Sequence, residues 1–456
     1  MALNSSLAEN RKWWLLAAMS GVLGLIVLDE TIVAVSLPSM ARDLGLSVSA
    51  THWVVNAYLL SFTCAVALAG RMGDHFSRRS YFTVGAILFA IASLLAAIAA
   101  NGAMLIAARA LQGVAAALIF PTSIAILTTA FKPEERGVAF GYQTTVGAIF
   151  MASGPLIGGF LTETVSWRMI FWIGIPFVLA IVLLLWLVWS QDYDAKKTNQ
   201  SRPSAKTDKF GPAFLILALL ALVTSVMQGP DWGWFSPLTV SLFLLGCALV
   251  TVFRHWELTH PAPILDLNLL KIPEFRGGVI IFAIFQFEKI TLFVFVAQFL
   301  QTTVGISPIL SGAAVSLAIL PTLGTSVLVG KLTDKLGSRR VFLFGASVHA
   351  VAILLVAIAS IRENYLLTFL PLLLWGASMP SIAIPVRRVQ MNSVPQEKHG
   401  QASGINLTLQ MLGGSLGLAA MSALHAGIPS YAVLFAVIGA TTLLALPIAM
   451  RTIERT

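Results

Sequence analysis

Fourteen apolar stretches follow one another along this chain, and a soluble domain has no way to bury that many. They lie near residues 14–38, 51–70, 80–100, 103–130, 137–161 and 168–190, then 210–228 and 236–255. The last six lie near 275–302, 309–330, 340–361, 365–386, 401–425 and 429–450. A run of about 20 apolar residues spans a bilayer core as one helix. Because lipid offers the backbone no hydrogen bonds, such segments must be helical. The expected class is therefore an all-α polytopic membrane protein, and the composition of 57% hydrophobic against 11% charged residues agrees.

The basic residues set the orientation. With the amino terminus in the cytoplasm, only Arg42, Arg168 and Arg362 fall on the outer side, Arg109 and Lys289 lie within spans, and every other Lys and Arg of the 29 falls inside. This asymmetry obeys the positive-inside rule and places both termini in the cytoplasm. The net charge of +9 thus belongs to the membrane face and does not indicate a nucleic-acid partner. The first apolar run is too long for a cleaved leader and reads as an uncleaved anchor.

Several function classes drop out. Cys64 and Cys247 lie in different spans, which argues against a disulfide framework. No phosphate-binding loop is present, and the longest polar stretches, 191–209 and 255–274, are too short for an ATPase domain. Energy must come from a gradient. No metal-ligand or catalytic spacing recurs, so neither a metal, a cofactor nor an enzyme activity is expected. His349 and His425 read as packing residues.

The charges inside the spans are the functional candidates. Asp29 and Glu30 interrupt the first apolar run, and a carboxylate at that depth costs roughly 3 kcal/mol on insertion scales unless it faces a cavity, a partner or an ion. Arg109 cannot deprotonate, so it needs a counter-charge. Glu288 and Lys289 stand mid-way along the ninth run. Five amides within or at the ends of spans, Asn56, Gln112, Gln286, Asn406 and Gln410, are candidates to line a substrate cavity.

A duplication links the halves. Gly70, Asp74 and Arg79, in the segment Gly-Arg-Met-Gly-Asp-His-Phe-Ser-Arg-Arg, recur at one offset as Gly330, Asp334 and Arg339. The same offset carries Asp29 onto Lys289. Glycine permits close helix approach, and an aspartate in a short loop can pair with arginine and lock neighbouring helices, so both copies, with Arg78, read as a gate.

These loops resemble the signature of the major facilitator superfamily, G-x-L-A-D-R-x-G-R-K, with Gly73, His75 and Ser77 as departures in the first copy. The stretch Leu28-Asp29-Glu30-Thr31-Ile32-Val33 to Pro38 resembles the first-helix motif of its drug/proton antiporter branch, with Ala34 in place of asparagine. Leu105, Arg109, Gln112 and Gly113 resemble the motif associated with proton coupling. Gly141, Gly154, Pro155, Gly158 and Gly159 resemble the antiporter motif, Phe150 replacing its central glycine.

The resemblance implies two six-helix bundles, 1–190 and 275–456, joined by a 191–274 linker carrying two extra spans. It also implies a proton-coupled antiporter that exports amphipathic, cationic drugs by alternating access across the cell (inner) membrane, with Asp29 as the first coupling acid and Glu30 and Glu288 behind it. Its partners would be the bilayer, protons and the amphipathic substrates, and a single chain would suffice. The alternative is a proton-coupled carrier of one physiological solute: a metabolite, a lipid or a self-made antibiotic.

Overall fold

The computed structural model describes residues 10–73, 77–132, 135–189, 208, 210–261, 263–395 and 398–453. Long helices account for nearly all of them: α1 (Arg11–Leu44), α2 (Val48–Gly73), α3 (Arg78–Ala97), α4 (Gly102–Ala130), α5 (Arg136–Thr164), α6 (Met169–Val188), α7 (Phe210–Trp232) and α8 (Pro237–Thr259). They continue with α9 (Pro273–Thr302), α10 (Pro308–Leu336), α11 (Ser338–Ile361), α12 (Tyr365–Asn392), α13 (His399–Gly427) and α14 (Tyr431–Thr452). Thirteen of these are long and apolar enough to cross a membrane, and α2, with 26 residues, is the fourteenth.

The loop chemistry differs between the two faces. On the face opposite the termini, helices begin at polar caps: Asn101, Ser236, Ser307, Asn364 and Ser430 each accept a hydrogen bond from the first turn that follows. Such a cap satisfies an amide that has no intrahelical partner. Of the helices that start on the termini's face, α1, α3, α5, α11 and α13 have no side-chain cap bond and basic residues gather there instead, while α7 is capped by Asp208, whose Oδ1 accepts from Gly211 N at 3.0 Å.

Helices α1–α6 pack among themselves, as do α9–α14, and the two groups meet where α5 crosses α10, α2 crosses α13 and α1 faces α9. Glycine makes the α5–α10 crossing possible. A Cβ at Gly159 would run into the Pro308 carbonyl, and one at Gly312 into the Pro155 carbonyl. Gly154 and Gly158 press in the same way on Thr31 and Ile32 of α1. Close backbone approach of this kind is how helices gain contact area where lipid supplies no hydrophobic drive.

Toward the termini the helices part. A Cβ at Gly141 or Gly147 of α5, or at Gly324 or Gly330 of α10, meets no atom within 4 Å. The hydrogen bonds across the seam lie at mid-depth or beyond, toward the opposite face: Gln301 donates to the Val35 carbonyl at 2.8 Å, Leu156 N to Ser316 Oγ at 2.9 Å, and Ile309 N to Glu163 Oε2 at 2.9 Å. The seam is closed on the far side and splayed on the termini's side. The inserted α7 packs over α2 and α13, where Gln228 accepts from Ser49 Oγ (2.8 Å) and Trp53 Nε1 (3.0 Å).

Candidate functional site

Consecutive helix residues project about 100° apart, and α1 uses that divergence to send its two acids to different partners. Asp29 turns into the first group of helices. Its Oδ2 accepts from Arg109 Nη1 at 2.6 Å. The same Nη1 donates to Gln112 Oε1 at 2.8 Å, Nε donates to the Val54 carbonyl at 3.0 Å, and the guanidinium lies 4.5 Å from the Tyr58 ring. Gln112 Nε2 in turn donates to Ser93 Oγ at 2.8 Å. Arg109 is thus bound by groups from α1, α2 and α4, with α3 reached through Gln112.

Glu30 turns the other way, across the seam, where its Oε2 stands 3.8 Å from Lys289 Nζ of α9. That separation is too long for a hydrogen bond, so the contact is Coulombic. Among the described residues it is the one charge pair joining the two groups of helices. It joins the hydrogen bond from Gln301 to the Val35 carbonyl in linking α9 to α1.

Glu288, adjacent to Lys289, points away from it into the second group. Its Oε1 lies 2.9 Å from His349 Nε2, and its Oε2 accepts from Trp375 Nε1 at 3.1 Å. His349 Nδ1 lies 2.7 Å from Ser378 Oγ. The expectation that His349 merely packs is corrected here: it is the partner of a buried carboxylate, with both side chains fully buried. The signal was in the sequence, since an imidazole in an apolar run needs a hydrogen-bond partner as much as Asp29 does. His425 does pack, 4.7 Å from the Tyr431 ring.

The five amides divide. Asn56 Oδ1 accepts from Ser415 Oγ of α13 across the seam at 2.6 Å, and Gln410 donates to Gln286 Oε1 at 3.3 Å. Gln112 serves Arg109, and Asn406 Oδ1 accepts from Gln390 at 3.1 Å. The Asn56 amide nitrogen, on the side of α2 that meets α13, and the Tyr58 hydroxyl, whose ring lies against Arg109, are each buried with no partner among the described residues, so each holds hydrogen-bonding capacity for a bound molecule.

In the loops, Gly70 is helical, and Asp74 lies outside the described residues. Arg78 donates to the Ala125 carbonyl at 2.8 Å and Arg79 covers Trp186 at 4.1 Å. In the second copy Asp334 pairs with Arg388 at 2.6 Å, tying α10 to α12 in the open, while Arg339 begins α11 next to it.

The profile of the Major Facilitator Superfamily matches residues 19–418 and 277–456. The chain belongs to the major facilitator superfamily. It is similar to the puromycin resistance protein pur8 of Streptomyces alboniger, 31% identical over 92% of this chain and 83% of that one. It is also similar to the multidrug resistance protein Stp of Mycobacterium tuberculosis, 30% identical over 90% of this chain and 76% of that one. Among solved structures, the xylose transporter XylE from E. coli superposes with a TM-score of 0.71 over 98% of this chain and 99% of that one, at 14% identity. The family match and the drug-resistance relatives place the chain in the drug-efflux branch: a multi-pass membrane carrier whose two bundles meet where α5 crosses α10, α2 crosses α13 and α1 faces α9.

Proposed function

We propose that this transporter is a proton-coupled antiporter that exports amphipathic, cationic drugs from the cytoplasm across the cell membrane, with both termini cytoplasmic, as a single chain. The observation that carries the reading is the pair of adjacent acids with divergent partners, Asp29 on Arg109 and Glu30 on Lys289. An acid able to hold either a proton or a cation, but not both, exchanges one for the other as the cavity alternates.

The cycle follows from these contacts. With the bundles splayed toward the termini, a lipophilic cation entering from that side meets Glu30, Asn56 and Tyr58 near the seam. Protonation of Asp29 removes the counter-charge of Arg109, and neutralising Glu30 removes the attraction that holds α1 beside α9. The fold would then rock about the α5–α10 glycines, and Gly154, Pro155, Gly158 and Gly159 serve as the bearing. Asp334 with Arg388, and the residues Gly70, Asp74, Arg78, Arg79, Gly330 and Arg339, form the cytoplasmic gate that must open and close in step.

A second reading has its own support: the relatives include a tetracenomycin C resistance and export protein of Streptomyces glaucescens, 28% identical over 92% of this chain and 77% of that one. The same machinery would then export one antibiotic-like solute. Uptake of a fluorescent lipophilic cation into inside-out vesicles under an imposed pH gradient decides. Uptake by the parent that is lost in Asp29→Asn supports antiport through Asp29. No uptake of several cations turns the search to a single dedicated solute.

A further inference from the structure

We propose that His52 of the first bundle and His425 of the second form a proton-operated latch on the closed side of the seam, released when both imidazoles take up protons from the face opposite the termini. This goes beyond the antiport reading and does not rest on it.

The latch is a buried bond between bundles. His52 of α2 is 1% exposed, and its Nε2 lies 3.3 Å from Oε1 and 3.2 Å from Nε2 of Gln298 on α9. The amide offers a donor to a bare Nε2 and an acceptor to Nε2–H, so it serves either tautomer. The other ring nitrogen carries the argument. Nδ1 of His52 is buried with no partner among the described residues, and so is Nδ1 of His425 on α13. A neutral ring can leave Nδ1 bare, but the imidazolium has a hydrogen there that needs an acceptor. With none in place, a charged His52 is better accommodated where water reaches it, which is with the seam open.

The two rings bear on each other. His52 and His425 stand 5.0 Å and 5.7 Å from the ring of Phe295, itself fully buried on α9. Both lie near the far face: the exposed Val48 is one turn outward of His52, and the partly buried His425 runs into the exposed stretch Ala426, Gly427, Ile428 and Pro429. His425 also sits in the last turn of α13, where the helix dipole favours a cation. It is therefore the first to be protonated from that side. Its charge then opposes a second one on His52 until the bundles part there.

Other titratable groups on the helices packed around the pair are engaged or exposed. Asp29 of α1 holds Arg109 of α4, Glu30 faces Lys289 of α9, and Glu288 faces His349. Asp43 of α1 holds Arg168, Arg42 and Asp231 of α7 are exposed, and the Tyr431 hydroxyl of α14 lies 3.2 Å from Thr302 Oγ1. Among the described residues no carboxylate stands by to neutralise the two rings. The latch is thus intact with neutral rings and weakens as pH falls through the imidazole range.

Spin labels read the far face directly. Ala103→Cys on the first bundle and Arg362→Cys on the second, both exposed on that face, are labelled in a Cys64→Ala, Cys247→Ala background. Dipolar electron spin resonance measures their separation in detergent, without substrate or gradient, from about pH 8 to about pH 5. We expect a longer separation whose population grows as pH falls, and its loss when His52→Gln and His425→Gln are combined, since amides hydrogen-bond but do not titrate. A parent separation indifferent to pH overturns the proposal, and so does a double variant that lengthens as the parent does. His425→Gln alone covers the case in which the double variant does not fold. With one proton fewer driving release, its longer population appears at lower pH, and an unchanged profile overturns the pairing. No transport enters these measurements, so their failure leaves antiport standing, and failed cation uptake by the parent leaves the latch standing.

Discussion

Arg109 Nη1 stands 2.6 Å from Asp29 Oδ2, and both residues are buried inside membrane-length helices. A buried charge left without its partner destabilises by roughly 3–5 kcal/mol, whereas removing both partners together is far milder. Arg109→Met is therefore expected to lower the melting temperature sharply, and Arg109→Met combined with Asp29→Leu to recover much of the loss. Thermal unfolding in detergent across the four-member cycle measures the coupling. Strictly additive losses would mean that the pair is not coupled.

Glu30 and Lys289 make a weaker bond with a different consequence. At 3.8 Å and with little exposure, the pair ties α1 to α9 without a hydrogen bond. Lys289→Ala is expected to fold normally, keep downhill movement of substrate, and lose accumulation against a gradient. Retained accumulation would show that the cross-seam charge has no part in coupling.

The α5–α10 crossing tolerates no side chain. A Leu at Gly159 has its Cβ against the Pro308 carbonyl, so Gly159→Leu is expected to pry the seam open on the side facing away from the termini. A cysteine placed at Ser415, buried in the parent, then reacts with a membrane-impermeant thiol reagent added from that side. Gly141→Leu, where a Cβ meets nothing within 4 Å, is the control and should leave the cysteine protected.

Outside the spans, the hydrogen bond from Lys12 at 2.7 Å holds the Glu135 carboxyl below its ordinary value of 4.5. A depressed carboxyl contributes above its unfolded value and loses that contribution as pH falls through the folded one. This tie between α1 and the start of α5 is thus complete at neutral pH and released only in acid below 4.5. Glu135→Gln should leave the pH profile of transport unchanged above about pH 5. A shifted profile would place Glu135 among the coupling groups.

The spans were legible in the sequence because hydropathy is local. Each apolar run reports its own transfer energy, and loop charges report which face they prefer, without reference to any neighbour. The helix from Arg11 to Leu44 and the pair at 210–232 and 237–259 stand where their apolar runs predict, extended by a turn or so into polar flanks that the window undervalues. Asp29 and Arg109 were legible for the same reason: a charge in an apolar run declares its own cost. The small-residue pattern from Gly154 to Gly159 likewise announced close packing.

What the sequence by itself determined is therefore the inventory: fourteen spans, their alternation, and the few charged or polar groups too expensive to lie there idle. Only the tertiary structure decided who meets whom. Glu288 has in Lys289 a neighbour in sequence that looks like the obvious companion, yet Lys289 reaches Glu30 in another bundle and Glu288 reaches His349 on another helix. One residue of helix is about 100° of rotation, so a partner is chosen by how each helix is turned about its axis. That angle is set by the glycine contacts and packing of all its neighbours at once, and no single stretch of sequence contains it.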